Sequence, residues 1–384
     1  MKFNLLQRKR WVIILSVFSL LLTSGCWDAI EIEKRAVVVA LAVDQSPLGH
    51  KVSIQIPNPR KTVGGGGGED DGGGGGGAGA VELFSEEGRT LQEAFMQIEN
   101  ETNFPLFTGH TQILLIGEEL AKNGTRDLIE GLRRNQQIRR HLWPVIIQGE
   151  AKNALDVQVR LEEIPIDYLR ESIETGIKNG RFPSMVLGEF FEELSNPAKR
   201  APILNVFRVS DNRYVWNGIG IFKDDRLLGV LKPPLVNALL NVREHKPGWP
   251  VMIDCPQQQK GQIVFYPKSS SSKIHISDKE PAIDVNVSVE GEITVKECTS
   301  YKLDQPQKYQ MLSNMVQHEY DKSAKKLIDL AQKEYNTDIF AFGKFVNAYY
   351  PKLYHRLNWE KDFSKIPIRI HYDVDLRRAG LESK

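Results

Sequence analysis

The chain has 384 residues, with 50 Lys plus Arg against 49 Asp plus Glu and a pI near 7.7. The first 25 residues hold four basic and no acidic side chains, so the remaining 359 carry a net charge of −3. A body of that charge has no general field for a polyanion, which argues against nucleic-acid binding through overall basicity, and 41% hydrophobic with 26% charged residues excludes wholesale disorder.

Lys2, Arg8, Lys9 and Arg10 precede an apolar stretch of 12 residues from Trp11 to Leu22, and Thr23-Ser24-Gly25-Cys26 follows it. This is the layout of a signal peptide over 1–25. As a helix the stretch is about 18 Å long, against about 30 Å of hydrocarbon core, so a leader is favoured over a spanning helix. The small residues before Cys26 resemble the lipobox of bacterial lipoproteins, although Thr23 stands where leucine is usual. That resemblance implies acylation of Cys26, which becomes the mature N-terminus.

Eight apolar residues from Ala36 to Val43, closed by Asp44, predict a strand covered on both faces. Only about ten residues separate this strand from Cys26, at most about 35 Å of chain, so the body is expected close to the bilayer. Lys51 to Pro57 alternates, with Val52, Ile54 and Ile56 on one side, and Val81 and Leu83 mark a returning strand. Between them lies a tract holding 12 of the 31 glycines, interrupted by Glu69, Asp70 and Asp71. It predicts a flexible solvated loop over 58–80, in which the 16-residue glycine tract behaves as a coil with ends about 20 to 25 Å apart. A phosphate loop is rejected, because acidic residues interrupt the glycines and no Gly-Lys-Ser/Thr opens a helix.

Helical spacing follows over Gly88 to Asn100, then a buried strand over Thr111 to Ile116 and helices over Glu118 to Asn123 and Thr125 to Arg134. Leu142 to Gln148 predicts a strand, with helices from Ala151 and near Ile166, and the segment Val186 to Leu194 adds further cover. The stretch Asn196 to Pro202 predicts a boundary. The chain then divides into an N-terminal α/β domain over 26–200 and a C-terminal α+β region over 201–384, with a further division near 270–280.

In the second part, Ile203 to Val209, Val215 to Phe222 and Leu227 to Leu231 predict strands, the last two joined by a turn at Lys223 to Arg226. Pro233 to Val242 predicts a short helix, and Ile283, Val285, Val287 and Val289 an alternating strand. From Tyr309 to Tyr335 an apolar stripe through Leu312, Val316, Tyr320, Ala324, Leu327 and Ala331 predicts one long helix packed on its own domain's sheet. A helix over Asp338 to Tyr349, with Thr337 as its cap, and a closing strand over Ile366 to Leu376 complete the series. The fold class is therefore α+β, multi-domain with mixed sheets, the C-terminal region being a sheet packed by a long helix. Cys255 and Cys298 leave two readings open: export permits a disulfide, and free buried cysteine is the simpler alternative.

The motifs now combine. Cys26-Trp27-Asp28 with Glu31 and Arg35, leading to Asp44, resembles the start of the GerAC, or Ger(x)C, family of spore germination lipoproteins. Gly109-His110-Thr111-Gln112 running into Gly117-Glu118-Glu119 looks like a second block, and Gly218 to Phe222 with Gly229 a third. Thr337-Asp338-Ile339-Phe340 with Gly343, Tyr349-Tyr350-Pro351, Trp359, Arg377-Arg378 and Gly380 resembles the C-terminal block. The resemblance implies a lipid-anchored subunit of a nutrient-germinant receptor on the extracytoplasmic face of the spore inner membrane. Its implied partners are membrane lipid through acylated Cys26, a large subunit and a permease-like subunit; no catalysis and no cofactor are implied.

Local chemistry agrees with that expectation. None of the eight histidines sits at His-x-x-x-His or His-x-His spacing, so no zinc motif is present. His110 reads as a hydrogen-bonded structural histidine, and Ser323, in Ser-x-x-Lys, falls on the charged face of the long helix where a nucleophile has no use. The cluster Arg133, Arg134, Arg139 and Arg140 suits a solvated face or an anionic surface. Two classes remain: a membrane-tethered interaction subunit, and a solute-binding lipoprotein serving a transporter. The lack of two matching βα lobes counts against the second.

Overall fold

The computed structural model of the chain describes residues 10–16, 34–58, 80–158, 162, 164–195, 201–298 and 305–379. Cys26 and the glycine tract lie outside the described residues. Among the described residues no helix is long and apolar enough to cross a membrane.

The run from Ala36 to Val43 forms two strands, β1 (Ala36–Val37) and β2 (Ala40–Ser46). They part because Val38 N–H donates to Phe107 and Val39 N–H to Gln55, two different neighbours. β3 (Gly49–Pro57) and β4 (Val81–Gly88) pair antiparallel, and Asn58 N–H donates to Ala80 O at 2.8 Å. The residues on either side of the tract are thus pinned by the ladder, which outweighs the entropy of closing a long loop because that entropy grows slowly with length.

After α1 (Leu91–Glu101) comes β5 (Leu106–Phe107), which pairs in parallel with β1. β6 (Ile113–Gly117), α2 (Glu118–Asn123), α3 (Arg126–Arg134) and β7 (Trp143–Ile147) follow as expected. The helix expected from Ala151 is only a 3₁₀ turn over Ala151–Ala154. α4 (Pro165–Lys178) and α5 (Leu187–Ser195) precede β8 (Ile203–Ser210), β9 (Arg213–Lys223) and β10 (Arg226–Leu231). One eight-stranded sheet runs β10-β9-β8-β7-β6-β2-β3-β4. Its four central strands are parallel and both flanks antiparallel. Leu41, Val43, Leu114, Ile116 and Ile146 face α1, α2, α3 and α5; Ala40, Ala42, Ile113, Leu115 and Val145 face α4. Burial on both faces is what an unbroken apolar strand requires.

The sheet continues past residue 200, because β8 joins β7 in register; the change of sheet falls between Leu231 and Val251. α6 (Leu235–Glu244) leads to β11 (Val251–Asp254), β12 (Gln262–Ser277) and β13 (Ala282–Lys296). The proposed division near 270–280 falls inside the β12–β13 hairpin, whose ladder is closed by Ser277 opposite Ala282. α7 (Pro306–Asp329), α8 (Phe342–Tyr349), α9 (Pro351–Arg356) and α10 (Trp359–Asp362) cross to β14 (Ile368–Ala379), which pairs in parallel with β13.

The long helix α7 lies against β14 and α6 with Leu312, Val316, Tyr320, Ala324 and Leu327 buried. Tyr320 stacks on Tyr372 of β14 at 4.8 Å, and the Tyr372 hydroxyl donates to Asn241 of α6. Ser323 is buried, not on the charged face, and its hydroxyl donates to Glu319 O at 2.7 Å. The buried face is wider than one stripe, because helix and sheet both cover it. Cys255 and Cys298 form a disulfide across Cα atoms 5.8 Å apart; β12 and β13 bring the two ends together. Trp216 of β9 and Trp249 ahead of β11 stack at 4.9 Å, bridging the two sheets.

Candidate functional site

In parallel sheets, ligands settle beyond the carboxyl ends of the strands. Here those ends are β2, β6 and β7, and the chain fills the place itself. Asp44 is 5% exposed; its Oδ1 accepts from Ala151 N–H at 2.6 Å and its Oδ2 from Lys152 N–H at 2.9 Å. A β-carbon on Gly117 would collide with Asp44 Oδ1, so glycine at the end of β6 is what admits the carboxylate. Burial pushes the Asp44 carboxyl above its ordinary range, against the opposing pull of the two N–H groups. The anion that such a crevice would bind is thus the chain's own side chain.

A second buried carboxylate organises the far region. Asp338 precedes α8 instead of lying inside it, because Ala341 adopts a left-handed conformation (φ 63°) and the helix starts at Phe342. Thr337 therefore does not cap that helix. Asp338 Oδ2 accepts from Gly343 N–H at 2.6 Å and from Trp359 Nε1 at 3.1 Å, while Oδ1 has no hydrogen-bond partner. A β-carbon on Gly343 would lie 2.5 Å from Trp359 Nε1, which explains glycine there. Beside Asp338, Arg243 of α6 holds Glu193 of α5 through Nη2 at 3.0 and 2.8 Å. The same guanidinium donates through Nη1 to Ala201 O at 2.7 Å and Ile339 O at 2.9 Å. Both charged side chains are at most 3% exposed, so this pair ties the two sheet regions from inside. A cavity of about 140 Å³ adjoins it, lined by Glu193, Asp338 and Trp359 among others. Burial also raises the Asp338 carboxyl, with Arg243 pulling the other way.

The basic cluster is divided. Arg133 donates to Phe191 O at 2.5 Å and lies over the Phe191 ring, and Arg134 pairs with Glu130 at 3.6 Å; Arg139 and Arg140 are exposed. His110 is exposed and packs edge-on against Phe107 instead of serving as a buried hydrogen-bonded residue. Among the described residues no three His, Cys, Asp or Glu side chains gather as a metal site.

Two family models match the chain in succession. The spore germination protein N-terminal domain matches residues 28–209, and the spore germination B3/GerAC-like C-terminal domain matches residues 217–380. The chain belongs to the GerAC family of spore germination proteins. Similar proteins in Bacillus subtilis (strain 168) include the putative spore germination protein YfkR, 26% identical with 83% of each chain covered, and spore germination protein KC, 22% identical with 98% of this chain and 97% of that one covered. The crystal structure of the GerBC protein shares the fold at a TM-score of 0.56 and 17% identity, over 88% of this chain and 97% of that one. On this fold, residues of three of the blocks that resembled the GerAC family meet at two joints. Asp44 meets Gly117, and Asp338 meets Gly343 and Trp359. Arg243 and Glu193, which belong to no block, were missed because their contact joins positions 50 apart in sequence.

Proposed function

We propose that this protein is the lipid-tethered subunit of a spore nutrient-germinant receptor, acylated at Cys26, held at the extracytoplasmic face of the spore inner membrane and assembled with a large subunit and a permease-like subunit. The observation that carries this reading is the ordered match of two germination-family models, which begins two residues after Cys26. The eight residue steps from Cys26 to Lys34 span at most about 28 Å, so a lipid at Cys26 keeps the first strands near the headgroups. Tethering raises the effective concentration of a partner in the same membrane, and modest contacts then suffice for assembly. The solute-binding alternative has less support, because the eight-stranded and four-stranded sheets are not two matching βα lobes.

Cys26→Ala tests the proposal. The variant is expected to leave the membrane fraction and to impair nutrient-triggered germination, with the unfolding temperature of the protein unchanged. Retention in the membrane together with normal germination would sink it.

A further inference from the structure

His50 begins the buried stripe of β3 and is 7% exposed, on the face that carries Val52 and Ile54. Its Nδ1 has no hydrogen-bond partner. A buried polar atom without a partner is uncommon and asks for an explanation. Above it, between α1 and α3, lies a cleft of about 490 Å³ with Leu91, Phe95 and Leu132 among its lining. Both helices help to shape it, and Gly131 lets Leu91 approach closely, since a β-carbon there would lie 2.8 Å from Leu91 Cδ1.

The charges at the rim are mostly matched. Arg89 pairs with Glu93 at 3.4 Å and Arg134 with Glu130 at 3.6 Å. Asp127, in the first turn of α3, has no cation within ion-pair distance among the described residues. Counting these groups, the cleft keeps one uncompensated carboxylate beside a buried imidazole and an apolar floor.

We propose that this cleft binds a small primary ammonium on an apolar body, its N–H groups donated to the Asp127 carboxylate and to His50 Nδ1, and its carbons against Leu91, Phe95 and Leu132. Neutral imidazole with the proton on Nε2 offers Nδ1 as an acceptor, and a carboxylate beside it supplies the charge. Burial lowers the His50 pKa from its ordinary 6.5, with the Asp127 charge opposing, so the ring is neutral where the amine is charged. A carboxylate ligand fits worse, because both arginines already face glutamates.

The charged groups around His50 fix the pH response. Arg89 and Glu93 approach from the α1 side, and Asp127, Glu130 and Arg134 from α3. From β4, Glu86 pairs with Val52 on the His50 face, while Lys51 and Glu87 stand opposite one another on the other face of the sheet. Acidification through the His50 pKa removes the acceptor lone pair and adds a positive charge beside the ammonium. Amine affinity is therefore flat above that pKa and falls below it.

The test uses the full chain in detergent micelles with isotope-labelled histidine, and the His50 ring resonances are identified by their loss in His50→Gln. They are followed by NMR during titration with n-butylamine and phenethylamine, and with butyrate and n-butanol as anionic and neutral matches. The expected result is a saturable shift with the amines, at least tenfold tighter than with butyrate or butanol. Asp127→Asn, at an exposed position, is expected to weaken amine binding at least tenfold with little change in unfolding temperature. Equal shifts from butyrate and butylamine, no saturable shift with millimolar amine, or unchanged amine binding by Asp127→Asn would each overturn the proposal.

Discussion

Asp44 in the eight-stranded sheet region and Asp338 in the far region are both buried, 5% and 3% exposed, yet they are wired in opposite ways. Asp44 gives one oxygen to each of two successive backbone N–H groups, so the carboxylate is saturated by one short segment. Asp338 accepts two donors on a single oxygen, leaves the other without a partner, and has the Arg243 charge nearby without a hydrogen bond to it. The first is a local splice between strand ends. The second depends on a network that reaches α5, α6 and the segment before β8. Equal burial therefore does not mean equal function: one carboxylate closes a crevice, and the other belongs to a joint between the two sheets.

The sharpest break of this contrast is Arg243→Met. It leaves Glu193 charged in a dry site and frees the carbonyls of Ala201 and Ile339, so urea unfolding is expected to show a loss of about 3–5 kcal/mol. A loss below about 1 kcal/mol would mean that the network does not hold the joint. No residue near Asp44 has that leverage. The next comparison uses isosteric amides. In Asp44→Asn an NH₂ must face a backbone N–H, and a charge-assisted bond is lost, for about 2–3 kcal/mol. In Asp338→Asn the amide oxygen keeps Gly343 and Trp359 while the NH₂ takes the place of the partnerless oxygen, and the buried charge disappears; about 1 kcal/mol or less is expected. Equal losses from the two amides would erase the distinction.

Periodicity made much of this fold legible. The Val-rich run before Asp44 ends in β2 with both faces covered, and the stripe from Leu312 to Leu327 is the buried face of the long helix, because side-chain period alone sets those outcomes. What depends on distant partners was hidden. Asp338 looked like the first turn of a helix until Ala341 turned left-handed and Trp359, 21 residues on, supplied a donor. The pairing of Cys255 with Cys298 follows from a hairpin whose register no spacing of two cysteines reveals. Spacing alone puts Ser323 on the charged face, because it shows one apolar stripe, whereas both α6 and β14 lie against α7. Of the candidate site, the blocks around Asp44, Gly117 and Asp338 were visible as a resemblance, but their meaning as joints needed the contacts.

The smallest expected signal is brought out by pH. Burial raises both carboxyls above the ordinary 3.8, so between that value and each folded-state pKa the native protein binds more protons than the unfolded chain. Each group's contribution is fully present below 3.8 and is lost as pH rises through its folded value. Asn does not titrate, so the unfolding free energy of the wild type minus that of Asp338→Asn should fall as pH rises from 4, with a slope no steeper than about 1.4 kcal/mol per pH unit for one proton. The difference for Asp44→Asn should fall in the same direction, since burial raises that carboxyl too, against the pull of its two N–H donors. Urea unfolding of the three proteins at a series of pH values measures both gaps. A gap for Asp338→Asn that stayed flat, or grew with pH, would show that the carboxylate is better solvated than its partnerless oxygen implies, and the two aspartates would then differ only in geometry.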